Sequence, residues 1–240
     1  MIIDTNTDTL KGVNFQDGHV LLIDKQTDWT SFDVVNKIRY MIKKTCSLSK
    51  IKVGHGGTLD PQATGLLIVG TGRETKNLSN YQNELKEYSA DITFGAETPS
   101  YDSETEPCAQ YATEHITAEM IQQALDTHFS GEIMQTPPVY SAKTINGVRA
   151  YKSAREGESV TMKRVQITIH EHELQDYSHN TARIRFVCSK GTYIRSLAYD
   201  IGKSVDSGAY LSSLRRTRSG GFSINNALTI TNFEQLLHTL

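Results

Sequence analysis

The stretch GHGGTLDPQATGLLIVGTGRET, residues 54–75, admits two readings, and the choice between them decides the fold. Taken from its end, the apolar run LLIVG leads into Gly70-x-Gly72, with Asp91 about twenty residues on, in the manner of a dinucleotide-binding turn that opens a βαβ unit. The third glycine position of that fingerprint holds Thr75, however, and no G-K-[ST] phosphate loop exists in the chain. Taken as a whole, the stretch is a glycine-rich loop between two short apolar strands, IKVG and LLIVG, with one acid, Asp60, between Leu59 and Pro61. Outward from it, strands and helices mix without βαβ alternation. The expected fold is therefore α+β, with a mixed, largely antiparallel central sheet flanked by helices.

HVLLID (19–24) reads as a buried strand. SFDVVNKIRYMIKK follows with Phe32, Val35, Ile38 and Ile42 at helical spacing, Ser31 as N-cap and lysines in the last turn. KEYSADITF (86–94) alternates strictly, putting Tyr88, Ala90, Ile92 and Phe94 on one strand face. ETPSYDSETEP reads as an acidic loop. TAEMIQQALDTHFSG (117–131) reads as an amphipathic helix capped by Thr117, with Ile121, Leu125 and Phe129 inward and Gly131 as the stop. VQITIHEHEL and TARIRFVCSK alternate as strands, and TYIRSLAYDIGKSV places Ile194, Leu197 and Ile201 on one helical face. TNFE (231–234) predicts a capping box for a last short helix. With neither an internal repeat nor a Pro/Ser-rich linker, residues 1–240 are expected to form a single domain.

The composition, 38% hydrophobic and 22% charged, is that of a globular chain. No basic-then-apolar N-terminal segment and no apolar run near the roughly 18 residues of a membrane span occurs, so no membrane association is expected. Cys46, Cys108 and Cys188 are scattered and unpaired in pattern, which fits the cytoplasm better than an oxidising compartment. The net charge of −2 conceals a strong segregation: ten acids and no Lys or Arg lie between Glu87 and Ala142, while six bases and no acid lie between Val34 and Leu59. Other bases gather at Lys143 to Arg164, at Arg183 to Arg195 and at Arg215, Arg216 and Arg218. Affinity for a polyanion follows local neutralisation of phosphates, so such clusters are compatible with a nucleic-acid partner.

On the residues alone Asp60 has two possible roles. Asp followed by Pro can cap a turn or helix; equally, a carboxylate fixed by a rigid proline can act as nucleophile or base if a cation keeps it charged. Arg195 could supply the cation. It falls in the first turn of its helix, where the dipole disfavours a positive charge, so a partner elsewhere would explain it. Tyr88 and Tyr193 could be plain sheet or core aromatics. His170 and His172 share a strand face without an evident third ligand, so no metal site is expected.

Taken together, GHGGTLDPQATGLL, KEYSA, TPPVYSAKTINGVRAY, CSKGTYIRSLAYDIG and LSSLRR, in this order, resemble the bacterial tRNA pseudouridine-55 synthases of the TruB type, over about Val20 to Arg216. The resemblance implies an isomerase that detaches a uracil from its ribose, turns it and rejoins it through C5, using no cofactor and no metal. It makes Asp60 the nucleophile, on the base or on the sugar carbon. It makes Arg195 the partner that keeps Asp60 charged and aimed, and Tyr88 the aromatic stacked on the uracil. Tyr193 and Leu214 would close the pocket and His55 would support RNA whose uridine has flipped out, a step costing a few kcal/mol. Pro137 to Arg155 resembles the segment that grips the T-arm stem-loop of tRNA, where Lys143, Arg149, Lys152 and Arg155 would meet phosphates. A monomer acting on tRNA in the cytoplasm is implied.

Three features depart from the family pattern, the smallest being that Gly56 stands where members vary within the main motif, beside matching Gly57 and Thr58. Where members show DKP-x-G-x-T-S, this chain has DKQTDWTS, with Gln26 for Pro and Asp28 for Gly, and with Lys25 still in register as a substrate-side residue. Many members also continue into a small RNA-binding domain, whereas this chain ends at Leu240, so a weaker grip on the acceptor arm is expected. A non-catalytic RNA-binding module or tRNA folding chaperone, with Asp60 only a turn residue, is the alternative, and a nucleotide-dependent oxidoreductase using Gly70 and Gly72 a third.

Overall fold

The protein is described from a computed structural model that covers residues 1–140 and 162–240, with the backbone of 144–145 and 148–149 between them. In chain order the described strands are β1 (Ile2–Ile3), β2 (Val20–Lys25), β3 (Val53–His55), β4 (Thr64–Thr71), β5 (Lys86–Phe94), β6 (Ala96–Glu97), β7 (Ala109–Gln110), β8 (Gly131–Gln135), β9 (Thr144–Ile145), β10 (Val148–Arg149), β11 (Val165–Ser178), β12 (Thr181–Cys188), β13 (Ala209–Ser219) and β14 (Phe222–Ser223). The α-helices are α1 (Ser31–Thr45), α2 (Leu78–Asn83), α3 (Ala118–His128), α4 (Ile194–Ser204) and α5 (Ile230–Leu237). The expected α+β class, a mixed and largely antiparallel sheet with flanking helices, is what the chain adopts. It divides into two compact units, Met1–Tyr88 with Arg215–Leu240, and Ser89–Leu214.

In the first unit β4 is the central strand. It pairs antiparallel with β2 (Val20↔Gly70 to Lys25↔Gly65) and with β3 (Val53↔Thr71), and parallel with the end of β13 (Arg215↔Thr64, Arg216↔Gly65). β1 extends the sheet parallel to β2. A core of Leu21, Ile23, Leu67 and Val69 receives Val34, Val35, Ile38, Met41 and Ile42 of α1 and Phe233 and Leu237 of α5. Burying such aliphatic side chains contributes roughly 1.5–3 kcal/mol each. The helical period thus picked out the right helix, with one side chain on the wrong side: Phe32 is 58% exposed. The cap is also one residue earlier than expected. Thr30 Oγ1 accepts from the Asp33 N–H (3.0 Å) while the Asp33 carboxylate accepts from the Thr30 N–H (2.9 Å), which releases Ser31 for another task. At α5 the cap is Thr229, not Thr231; its side chain accepts from the Asn232 N–H.

Gly70-x-Gly72 leads into a 3-10 turn, Gly72–Lys76, and not into an α-helix. Its glycines serve packing. A Cβ on Gly70 would come within 3.0 Å of Leu78, and one on Gly72 (φ +49°) within 2.3 Å of the Gln16 carbonyl. With β4 antiparallel to β2, the strand–turn–helix context that a dinucleotide site requires is missing here.

In the second unit β8, β11 and β12 form an antiparallel run, and α3 packs on β11 and on α4. The β11–β12 hairpin turns at His179 and Asn180, both with positive φ (49° and 58°), as the two-residue turn matching strand twist requires. β5 buries Ala90, Ile92 and Phe94, as its alternation predicts. α3 has its Thr117 cap and buries Ile121 and Leu125, and Gly131 (φ +70°) follows it directly into β8, a strand the sequence reading missed. In α4, Ile194, Leu197 and Ile201 are buried. Among the described residues no helix is long and apolar enough to cross a membrane.

Candidate active site

Asp60 does not cap a helix. Its carbonyl accepts from the Ala63 N–H (3.1 Å), closing a turn with Pro61 at the second position, where proline's fixed φ suits the turn. Three buried polar side chains hold the main chain around it. Ser31 Oγ, 2% exposed at the start of α1, accepts from the Leu59 N–H (2.8 Å) and donates to the Leu59 carbonyl (3.1 Å). Lys25, fully buried at the end of β2, donates from Nζ to the carbonyls of Gln26 (2.9 Å), Trp29 (2.6 Å) and Pro61 (3.1 Å). Arg216, 2% exposed on β13, donates to the carbonyls of Leu66 (2.7 Å), Gly57 (3.1 Å) and Thr58 (3.4 Å).

The close approach of β13 to β4 explains Gly65. At φ +104°, a Cβ there would stand 2.3 Å from the Arg216 carbonyl oxygen and 2.7 Å from its nitrogen. Of the basic cluster expected at Arg215, Arg216 and Arg218, the Arg216 guanidinium is committed to the loop's backbone. Arg215 makes a two-pronged pair with Asp24 (2.7 and 3.1 Å). Arg183 with Asp91 and Arg185 with Glu171 and Glu173 are likewise engaged, so much of the positive charge of the later clusters is used internally.

The departures at Gln26 and Asp28 find their physical account here. Asp28 has φ +63°, the left-handed conformation that glycine adopts freely and that aspartate tolerates better than most residues. Its carboxylate accepts from Gln62 Nε2 (3.0 Å), and Lys25 grips the carbonyls of Gln26 and Trp29, so side chains stiffen the segment that Pro and Gly shape in the family pattern.

Electrostatics follow burial. The Lys25 ammonium is lowered to about 8 from 10.5, chiefly by burial, against the opposing pull of Asp60 and Asp28. His55, on β3 opposite Val69, is lowered below 6.5 by burial and by the Arg216 charge, which leaves a neutral imidazole at neutral pH. Tyr88 is half-buried on β5, two residues beyond Lys86, a second buried lysine that donates to three carbonyls, those of Tyr81, Gln82 and Glu84.

The second unit holds Arg195, Tyr193 and Leu214. Arg195 is 5% exposed; its Nη1 donates to the carbonyls of Tyr140 (2.9 Å) and Ser100 (3.3 Å) and lies 3.6 Å from the Asp102 carboxylate. Asp102, itself buried, also accepts from Ser100 Oγ and the Glu104 N–H. In sequence it is one acid of an acidic loop, and no local signal marks it. The Gln135 side chain accepts from the Tyr193 N–H (2.8 Å) and donates to the Tyr193 carbonyl (2.9 Å), the same grip that Ser31 has on Leu59. Leu214 is half-buried on β13. Of the expected T-arm contacts, Arg149 lies in β10, of which only the backbone is described, and Lys143, Lys152 and Arg155 fall outside the described residues. His170 is exposed, and His172 Nε2 stands 3.7 Å from Asp126.

Residues 43–194 match the family model described as TruB family pseudouridylate synthase (N terminal domain), and residues 195–240 match that of the tRNA pseudouridylate synthase B C-terminal domain. Among relatives, tRNA pseudouridine synthase B of Phocaeicola vulgatus is 50% identical over 94% of this chain and 95% of its own length. The Flavobacterium johnsoniae protein of the same name is 48% identical over 93% of this chain and 97% of its own. Among solved structures, a chain of a Cbf5-Nop10-Gar1 complex has 27% identity and a TM-score of 0.69, covering 97% of this chain. An archaeal box H/ACA sRNP Nop10-Cbf5 complex gives 26% and 0.66 over 93%. This chain spans 61% and 55% of those two chains. The chain belongs to the TruB family of pseudouridylate synthases.

Proposed function

We propose that the protein is an intramolecular isomerase that converts a uridine in the tRNA T-loop, position 55, to pseudouridine. In the reaction the N1–C1′ bond of the uridine breaks, the uracil turns, and a C5–C1′ bond forms. The C5 proton leaves to solvent while N1 gains one, so the atoms balance without an external reactant, metal or cofactor. Asp60 is the nucleophile, and Tyr88, Arg195, His55, Tyr193, Leu214, Lys143 and Arg149 have the roles that the family resemblance gives them. Lys25, expected on the substrate side, is instead fully buried with its ammonium on three carbonyls and acts by positioning the turn. One catalytic domain acting as a cytoplasmic monomer completes the reading.

The observation that carries it is the immobilisation of the main chain on both sides of Asp60 by Ser31, Lys25 and Arg216. A turn residue of no chemical consequence would not need three buried polar side chains to hold it. A nucleophile does, because misplacement by about 1 Å can cost 100-fold in rate. The near-50% identity to tRNA pseudouridine synthase B over almost the whole chain supports the same conclusion.

The test uses tRNA transcripts tritiated at uridine C5, with wild-type protein beside Asp60→Asn. Release by wild type alone, with tRNA binding kept by the variant, is expected. Binding by wild type without release would favour a tRNA-binding module or folding chaperone.

A further inference from the structure

α1 begins at the candidate active site, where Ser31 grips Leu59, and extends over 15 residues, about 22 Å at helical rise, with Arg39 midway along it bonded to the Val53 carbonyl of β3. Its outer face carries no acid beyond Asp33, which is occupied in the capping box. At about 100° per residue, Phe32, Asn36, Arg39 and Lys43 fall on one stripe, with Tyr40 and Lys44 beside it. Phe32 and Tyr40 are 58% and 60% exposed, among the largest exposed apolar side chains described.

The stripe is organised. Arg39 donates to Asn36 Oδ1 (2.7 Å) and to the Val53 carbonyl (2.9 Å), which holds its guanidinium 5.9 Å from the centre of the Phe32 ring. The result is an exposed aromatic beside a planar cation held in place by two hydrogen bonds. Lys43, Lys44, Lys50 and Lys52 continue the positive charge, and none of them forms an ion pair among the described residues. This contrasts with Arg183, Arg185 and Arg215, whose charges are met by acids of the protein.

Exposed aromatics interleaved with unneutralised bases suit a nucleic-acid strand: bases stack on rings and guanidinium planes, and phosphates meet the lysines. We infer that the outer face of α1 is a second RNA-docking track, which receives the part of the tRNA outside the reacting T-arm stem-loop. The inference rests on the proposed function. A track 22 Å long that starts at the catalytic loop is of the right scale to extend the footprint past the single nucleotide that enters the site.

The test measures Kd for full-length tRNA and for the isolated T-arm stem-loop, by fluorescence anisotropy at several salt concentrations, with the full chain. Phe32→Ala and the double variant Lys43→Glu/Lys44→Glu change exposed side chains, and unchanged melting curves verify that they fold. For full-length tRNA, the double variant should weaken binding roughly 10–30-fold and flatten the salt slope by about two. Phe32→Ala should weaken it about 5-fold or more. Stem-loop binding and tritium release from the stem-loop should stay at wild-type values. Unchanged affinity for both RNAs would overturn the inference and leave the face to an acidic protein partner. Equal weakening for both would overturn it too, by moving the track onto the stem-loop. Absence of tritium release by wild type is a different result, which would sink the proposed function itself.

Discussion

Replacing Ser31 by alanine removes one oxygen atom that touches both the N–H (2.8 Å) and the carbonyl (3.1 Å) of Leu59, the residue preceding Asp60. Both partners are buried, Ser31 to 2% and Leu59 to 4% exposure, so water cannot simply take the hydroxyl's place. An unmet buried donor or acceptor costs about 1–3 kcal/mol, so the two together should cost about 2–6 kcal/mol. For a chain of 240 residues that corresponds to a fall in Tm of roughly 4–24 °C. The effect on chemistry should exceed the effect on binding, because Leu59 carries no proposed RNA contact while Asp60 inherits its displacement. A shift near 1 Å predicts a loss of about 100-fold in single-turnover tritium release, with Kd for tRNA within twofold of wild type. Ser31→Thr keeps the hydroxyl and should recover most of the rate. The assay is saturating enzyme with C5-tritiated tRNA, well below the melting temperature of the variant. Wild-type turnover by Ser31→Ala, together with a Tm within 1 °C of wild type, would refute the idea that this hydroxyl positions the nucleophile.

Four further outcomes are expected. Gly65→Ala puts a Cβ 2.3 Å from the Arg216 carbonyl oxygen at φ +104°, and should leave no cooperative melting transition at 37 °C or above in a calorimetric scan. Asp102→Asn removes the carboxylate 3.6 Å from buried Arg195; removing one partner of a buried pair costs about 3 kcal/mol or more, to be read as a lowered urea midpoint alongside slowed isomerisation. Because Lys25 is lowered to about 8, the unfolded chain binds more protons than the folded one between that value and 10.5, so this group makes stability rise with pH across the window; urea titrations of Lys25→Met at pH 8 and 10 should show a shallower rise than wild type. His55, also a lowered base, makes stability rise with pH up to about 6.5, and its imidazole resonances should titrate with a midpoint below that value.

How much of this was legible in the sequence depended on whether the signal was local. The alternation of Lys86 to Phe94 predicted a strand with the observed bounds and the observed buried face, because period two and half-burial are the same fact. The period of α1 located the helix but misplaced Phe32, since periodicity counts any aromatic as core, whatever an arginine beside it does. At α5, TITN offers threonines at 229 and 231 as caps, and only the course of the chain decides between them. Asp60 could be singled out from its setting, and Arg195 from its awkward place in a first turn, but Asp102 could not, because its meaning lies in a contact distant in sequence. The grips of Ser31, expected only as a helix cap, and of Gln135 leave no sequence signal for a related reason: each bonds to main chain, which every residue possesses and no motif records.

Ser31, Lys25 and Arg216 reach the turn around Asp60 through main-chain carbonyls and an N–H, those of Leu59, Pro61, Thr58 and Gly57. These hydrogen bonds go to the main chain of the turn, while the Asp60 carboxylate acts on Lys25 through its charge. Asp60→Asn keeps the size of the side chain and leaves each of those main-chain hydrogen bonds in place. A chain disabled by it should therefore keep the contour of the turn and still present a surface that substrate RNA fits. Such a chain is a ready means of capturing intact tRNA before any bond has changed, and of counting every RNA in a cell that fits the turn, whether or not it is normally modified.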